Sequence, residues 1–113
     1  MPILIQDLEG PVTRVVLSGR IDIAGAQEID MPMNLVGGSK RSVVIDLSAV
    51  EFMASMGLRS VVLAARAILS KKGRVVLLSP NAQVEDVLRT SGIDELIPIH
   101  FVEAEAIAAV VVS

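Results

Sequence analysis

The chain has 113 residues, 52% of them apolar and 20% charged, which is the composition of one folded domain and excludes a disordered chain. Its net charge of −3, with neither Trp nor Tyr, argues against direct nucleic-acid binding, and the lack of cysteine excludes disulfides and thiolate chemistry. The N-terminal residues do not resemble a signal peptide and no apolar run approaches the roughly 18 residues of a membrane span, so we expect a soluble, cytoplasmic protein.

The first part of the chain predicts a β-hairpin. Ile3–Ile5 and Arg14–Leu17 are short runs of β-forming residues, and the turn signal Glu9-Gly10-Pro11 separates them. Small and polar residues from Ser18 to Asp22 then close the second strand. We expect this hairpin to form one edge of a sheet.

A helix with an internal proline is predicted after the hairpin. Ala24–Val36 has helical composition, but Pro32 removes a helix hydrogen bond and clashes with the preceding turn. We therefore predict a helix that is kinked or that stops near Met31. Gly37 and Gly38 are expected to end the segment.

The middle of the chain has the pattern of a strand–helix–strand unit. Ser42–Leu47 is a continuous apolar run, typical of a strand covered on both faces, and Ser48–Ala54 is predicted to be a loop. The next helix is expected to end at Lys71-Lys72-Gly73, before a second buried strand at Arg74–Leu78. Short joints of this kind imply that the two strands are parallel. The helix carries apolar residues at i, i+3 and i+4 spacing: Leu58, Val61, Val62, Ala65, Ile68 and Leu69.

The last third of the chain completes an α/β pattern. Asn81 is predicted to cap a helix that ends at Ser91-Gly92, Ile97–Ile99 to form a short strand, and Glu103–Val112 to form a final helix. Together the elements predict a single α/β domain over residues 1–113. Its sheet is mixed but mostly parallel, has about five strands with the hairpin at the edge, and packs with about four helices.

Two segments are predicted to meet at the carboxyl ends of the strands, where partners approach an open α/β sheet. They are Gly19–Asp22 and Phe52–Gly57, and if their strands are neighbours, Asp22 and Ser55 lie on one rim. Asp22 fits either a helix cap at a strand end or a partner contact. Ser55 fits either a capping serine or a phosphate acceptor, because a phosphate there meets free N–H groups and the positive end of a helix dipole.

The same region carries a family pattern. Residues 43–62, VVIDLSAVEFMASMGLRSVV, combine a buried strand ending in Asp-Leu-Ser, a short joint and a helix that opens on Ser-Met-Gly-Leu. They resemble the signature of STAS domains, as do LSGRID at 17–22, LLSPNAQVEDVLRTSGIDELIPI at 77–99 and FVEAEAIAAV at 101–110. Stand-alone members of this family are anti-sigma-factor antagonists.

The resemblance implies a binding protein that is switched by phosphorylation. In stand-alone members, an anti-sigma-factor serine kinase of the histidine-kinase-like ATPase fold modifies the serine that corresponds to Ser55, and a PP2C-type phosphatase resets it. This chain departs from the family pattern at Ala54, in place of an Asp, and at Met56, in place of a second hydroxyl residue. Met53 and Met56 fit a contact surface and core packing equally well. The partner-binding residues implied are Asp22, Met53, Ala54, Met56, Gly57 and Arg59.

Two other function classes compete with this interpretation. One is a STAS binding or scaffold module that is not phosphorylated, such as a subunit of a lipid-transport complex. The other is a small enzyme, for which the sequence offers no site, metal cluster or cofactor motif: His100 is the only histidine and is expected at the surface, and Ser55 is not in a nucleophile elbow. The carboxylates Glu85, Asp86, Asp94 and Glu95 are expected to form a solvated face.

Overall fold

The computed structural model describes residues 2–111, in which five strands form one mixed sheet. The strands lie side by side in chain order; the first pair is antiparallel and the other three pairs are parallel. This confirms the predicted mostly parallel sheet with a hairpin at its edge. The strands are β1 (Ile3–Asp7), β2 (Thr13–Ile21), β3 (Ser42–Met53), β4 (Arg74–Leu78) and β5 (Ile99–His100).

Five helices cover the two faces of the sheet, one more than predicted. The first four contribute to the larger core cluster on one face, and the fifth covers the other face. The extra helix is the single turn α4, which is too short to produce a periodic pattern. The helices are α1 (Ile23–Ser39), α2 (Ser55–Ser70), α3 (Ala82–Thr90), α4 (Ile93–Leu96) and α5 (Glu103–Val110).

Apolar side chains from alternate positions of the strands form the two cores. Val15, Leu17 and Ile45 point into the larger cluster with residues of α1, α2 and α3. Val44 and Val76 are each adjacent in sequence to residues of the larger cluster. Because side chains alternate along a strand, they point to the other face, where they pack under α5. Both faces of the central strands are therefore buried, as their continuous apolar runs predict.

The first helix continues through its proline, so of the two predicted alternatives, a kinked helix or an end near Met31, the end near Met31 is wrong. It runs from Ile23 to Ser39 and includes Gly37 and Gly38. Pro32 withdraws one hydrogen bond on a side of the helix where Glu28 and Met31 are exposed, so the freed carbonyl can be hydrated. The opposite face packs against α2 and the sheet through its buried residues, Gly25, Ala26, Ile29, Met33, Val36 and Gly37.

The predicted loop at Ser48–Ala54 is also wrong, because β3 continues to Met53. Two register shifts let it stay paired with β2: one between Val16 and Ser18 and the next between Gly19 and Arg20. At each shift β3 contains one more residue than β2, and Gly19 has a positive φ of 79°. Sequence alternation does not reveal such irregularities, so the polar residues after Leu47 look like a loop.

The last third of the chain follows the prediction closely. Asn81 caps α3 by accepting a hydrogen bond from the Val84 amide at 2.8 Å. Ile97 is fully buried, but the last strand is Ile99–His100 and not Ile97–Ile99. The final helix ends at Val110, and the predicted end at Val112 lies outside the described residues.

A charged network ties the C-terminal helix to the sheet. Arg14 of β2 forms an ion pair with Asp46 of β3 and donates through Nη1 to Oε1 of Glu103, at 2.8 Å, in the first turn of α5. Asp46 also accepts a hydrogen bond from the Ser48 amide at 2.9 Å. Burial raises the pKa of Asp46, but the hydrogen bonds from Ser48 and Arg14 outweigh that effect and hold the pKa below its ordinary value.

Candidate functional site

The carboxyl ends of β2 and β3 lie side by side and form the rim that the sequence predicts. Ile21 pairs with Met53, the last residue of β3. Directly beyond that pair, the Ala54 amide donates to the Ile21 carbonyl at 2.7 Å. Asp22 follows the first strand and Ser55 follows Ala54, so the prediction that both lie on one rim is confirmed.

Asp22 is the N-cap of α1. Its Oδ1 accepts a hydrogen bond from the Gly25 amide at 3.0 Å, so the capping interpretation holds. The residue is also exposed. A cap of this kind fixes the direction of the carboxylate, and it therefore presents an oriented negative charge at the rim.

Ser55 is the first residue of α2, and the cap position belongs to Ala54. No side chain caps this helix, so the interpretation of Ser55 as a capping serine is wrong. Its side chain is exposed. The Ala54 carbonyl accepts from the Gly57 and Leu58 amides, which leaves the amides of Ser55 and Met56 as the unpaired first donors of the helix.

The neighbours of Ser55 divide between core and surface. Met53 is 6% exposed and belongs to the core, whereas Met56 is 52% exposed. Of the two methionines, only Met56 can present its side chain to a partner. Gly57 is buried against Ile21, and Arg59, one turn beyond Ser55, is exposed.

A groove beside Ser55 separates the first turns of α1 and α2, and the sequence did not predict it. Its volume is about 220 Å³, and Ile23 and Met56 form its apolar rim. Inside it, the Ser60 hydroxyl donates to Oδ1 of Asp30 at 2.8 Å and links the two helices. Ile23, the first residue of α1, is 69% exposed. Isoleucine is normally assigned to the core from sequence, so the sequence gives no sign of this apolar rim.

Arg20 and Phe52 form a second surface feature that sequence analysis missed. They pair across β2 and β3, and the guanidinium carbon of Arg20 lies 4.8 Å from the centre of the Phe52 ring. The contact depends on the register shifts, because without them Arg20 would face a different residue of β3. It places a cation next to the rim, two residues before Asp22.

The described residues form no metal-ligating cluster, and the lone histidine lies away from Ser55. No group of three or more His, Cys, Asp or Glu side chains within residues 2–111 could hold a metal ion. His100 is half-buried in β5, whereas Ser55 follows β3, two strands away. Across the same residues, no helix has both the length and the apolar character needed to cross a membrane.

Comparison with known proteins identifies the family. Residues 6–106 match the family model of the STAS domain. A protein of Bordetella bronchiseptica, BtrV, provisionally named an anti-sigma factor antagonist, is 30% identical over 94 residues, which cover 82% of this chain and 81% of BtrV.

Solved structures with the same fold cover the chain almost completely. An anti-sigma factor antagonist from Mycobacterium paratuberculosis has a TM-score of 0.84 at 28% identity, over 96% of this chain and 92% of that one. The Bacillus cell fate determinant SpoIIAA in its phosphorylated form has a TM-score of 0.73 over 94% of this chain and 96% of its own. At 21% identity, the second likeness shows the fold alone. Family model, relative and fold agree over most of the chain, which therefore belongs to the STAS domain family.

Proposed function

We propose that this protein is a cytoplasmic anti-sigma-factor antagonist that works by partner switching. Unphosphorylated, it binds an anti-sigma-factor serine kinase of the histidine-kinase-like ATPase fold; phosphorylated on Ser55, it is released, and a PP2C-type phosphatase restores it. The observation that carries the proposal is the position of Ser55, an exposed hydroxyl that caps nothing and lies beside Asp22 on the rim. The names of the relatives support the antagonist class.

The surroundings of Ser55 explain why one phosphate would switch binding. In the free protein, the phosphate meets the unpaired amides of Ser55 and Met56 and the positive end of the α2 dipole, so it is tolerated without unfolding. In a complex, the same group lies among the apolar side chains of Met56 and Ile23, which a partner would cover. Burying about two negative charges there without a compensating cation costs several kcal/mol, which dissociates the complex.

Loss of Ser55 should abolish phosphorylation. We expect the native protein to gain one phosphate when incubated with ATP and its cognate kinase, and the Ser55→Ala variant to gain none. Intact-mass spectrometry measures both. The matched control is Ser70→Ala, which removes an exposed hydroxyl from the other end of the same helix and should leave phosphorylation unchanged.

The outcomes separate the site from the mechanism. A phosphate on both the native protein and the Ser55→Ala variant would keep the switch but exclude Ser55 as its residue. No phosphate on either, with a kinase that is active on another substrate, would favour the module that is not phosphorylated. That alternative draws support from Ala54, which replaces the acidic residue of the family pattern directly before Ser55.

The exposed methionine beside Ser55 should be a binding residue. We expect Met56→Asp to weaken binding of the unphosphorylated protein to the kinase at least tenfold, because a truncated apolar anchor at an interface centre typically loses more than about 1 kcal/mol and the new charge adds a desolvation cost. Surface plasmon resonance measures the affinity. Leu63→Asp is the matched control, since Leu63 is 44% exposed and lies two turns further along α2. Equal losses in the two variants would place the interface along the helix rather than at the rim.

A further inference from the structure

The outer strand of the hairpin, β1, has one edge that no strand of the described chain covers. The Ser18 amide donates to the Pro2 carbonyl at 2.9 Å, and the Leu8 amide donates to the Val12 carbonyl at 2.8 Å. Because backbone groups alternate sides along a strand, the even-numbered residues of β1 face β2. The amides and carbonyls of Ile3, Ile5 and Asp7 therefore point outward, away from the sheet.

These three residues form a set that can pair with itself. If a second β1 lies antiparallel across the edge with Ile5 opposite Ile5, then Ile3 lies opposite Asp7 on both sides. Each of those pairs exchanges two hydrogen bonds, so all six outward donors and acceptors are satisfied. In any other antiparallel register that uses these outward groups, at least one of Ile3, Ile5 and Asp7 lacks a hydrogen-bonded partner.

The side chains of β1 also suit a second copy. Leu4 is 55% exposed and Ile5 is 40% exposed, although both are apolar. Ile5 would meet its own copy beside the buried Ile3, which continues the apolar face of the sheet. Asp7 is already paired with Lys40, whose Nζ lies 3.3 Å from Oδ1 of Asp7. The negative charge at each end of the two paired β1 strands therefore has a countercharge.

The strand lacks the features that normally protect an edge. Ile3–Asp7 contains no proline and no lysine, and all five residues are paired regularly with β2. The opposite edge of the sheet is different, because β5 has only two residues. We propose that β1 pairs with β1 of a second copy of this chain, in the register centred on Ile5, to form a dimer with a continuous ten-stranded sheet.

Such a dimer would leave both rims accessible. A two-fold axis through the β1 edges reverses the strand direction from one subunit to the other, so the two Ser55 residues lie at opposite ends of the joined sheet. The dimer could therefore hold two partners at once. A seam of one short strand is at the small end of protein interfaces, so the association should depend on concentration.

Solution mass tests the association. We expect the weight-average mass, measured by light scattering or sedimentation equilibrium, to rise from 11.9 kDa toward twice that value as protein concentration increases. Ile5→Lys should abolish the rise, because it places two like charges directly opposite each other. Ile23→Lys is the control with the same change at another exposed isoleucine, and its dimer should persist. Circular dichroism confirms that both variants fold.

Single-cysteine variants test the register, since the chain contains no cysteine of its own. In the proposed register, Leu4 lies opposite Gln6 of the other copy in a non-hydrogen-bonded pair, about 4.5 Å apart at Cα, which a disulfide can span. An oxidised mixture of Leu4→Cys and Gln6→Cys should form crosslinked dimers, whereas each variant alone should not. A native protein that stays monomeric at about 1 mM, or equal crosslinking of each variant alone, overturns the proposal.

Discussion

We expect the Arg14→Ala variant to lose about 3–5 kcal/mol of unfolding free energy, because it removes the cation that pairs with the buried carboxylate of Asp46. The side chain of Asp46 is 2% exposed, whereas that of Arg14 is 27% exposed. Without Arg14, the remaining hydrogen bonds to Asp46 come from Ser48, and α5 loses its ion pair with the sheet. Urea denaturation at pH 7 measures the loss.

The pH dependence of this effect has a definite sign. In the native protein, the pKa of Asp46 lies below its value in the unfolded chain, which is about 3.9. The charged carboxylate therefore stabilises the fold fully when the pH is above that unfolded-state pKa. This stabilisation is lost as the pH falls through the folded-state pKa. In Arg14→Ala the lowering effect of Arg14 is lost while burial, the largest influence on this carboxyl, remains, so we expect the pKa of Asp46 to rise and protonation to relieve the uncompensated charge. We therefore expect the stability difference between native protein and variant to narrow as the pH falls from 7 toward 4.

An exposed ion pair provides the control for this prediction. Lys40 and Asp7 are 36% and 72% exposed, so solvent screens their pair and Lys40→Ala should lose far less stability than Arg14→Ala. If Arg14→Ala does not fold, Arg14→Lys keeps the charge but cannot reach Asp46 and Glu103 with separate nitrogens, so it should be intermediate. A loss in Arg14→Ala no larger than in Lys40→Ala contradicts the role assigned to the network.

Most of the fold was accessible from sequence because its elements have strong local signals. The run at Ser42–Leu47 and the cap at Asn81 depend on patterns within a few residues, and both were predicted correctly. Pro32 misled the prediction because helix propensity is local, whereas α1 is held by the packing of its buried face against α2 and the sheet. The extension of β3 was missed for a related reason: pairing with β2 compensates for polar residues that look like a loop.

The candidate site was less predictable than the fold. Ser55 and Asp22 could be placed on one rim from topology alone, because carboxyl ends of neighbouring parallel strands meet. The exposure of individual side chains could not, since Met53 and Met56 are the same residue type three positions apart and end in the core and at the surface. The groove was not predictable either, because it depends on how closely α1 and α2 approach.

The second large effect on stability is expected at Gly57, in the first turn of α2. A Cβ at this position would lie 2.6 Å from Cγ2 of Ile21 and 3.2 Å from Cγ of Met53. In an ordinary helix interior, Gly→Ala stabilises by up to about 1 kcal/mol. Here we expect Gly57→Ala to lose about 1–3 kcal/mol, because neither the side chain of Ile21 nor that of Met53 can move away within the packed core.

Gly38 provides a matched control, because it also lies inside a helix but has no atom within 4 Å of an added Cβ. Gly38→Ala should therefore raise the unfolding free energy by about 0.5–1 kcal/mol, so the two substitutions should have opposite signs. Under the proposed function, Gly57→Ala should also slow phosphorylation at temperatures where it is fully folded, because relief of the clash displaces the turn that carries Ser55 and Met56. A variant that is destabilised but phosphorylated at the native rate would show that Gly57 serves packing alone; one that is slowed while folded would show that the close contact with Ile21 positions the serine.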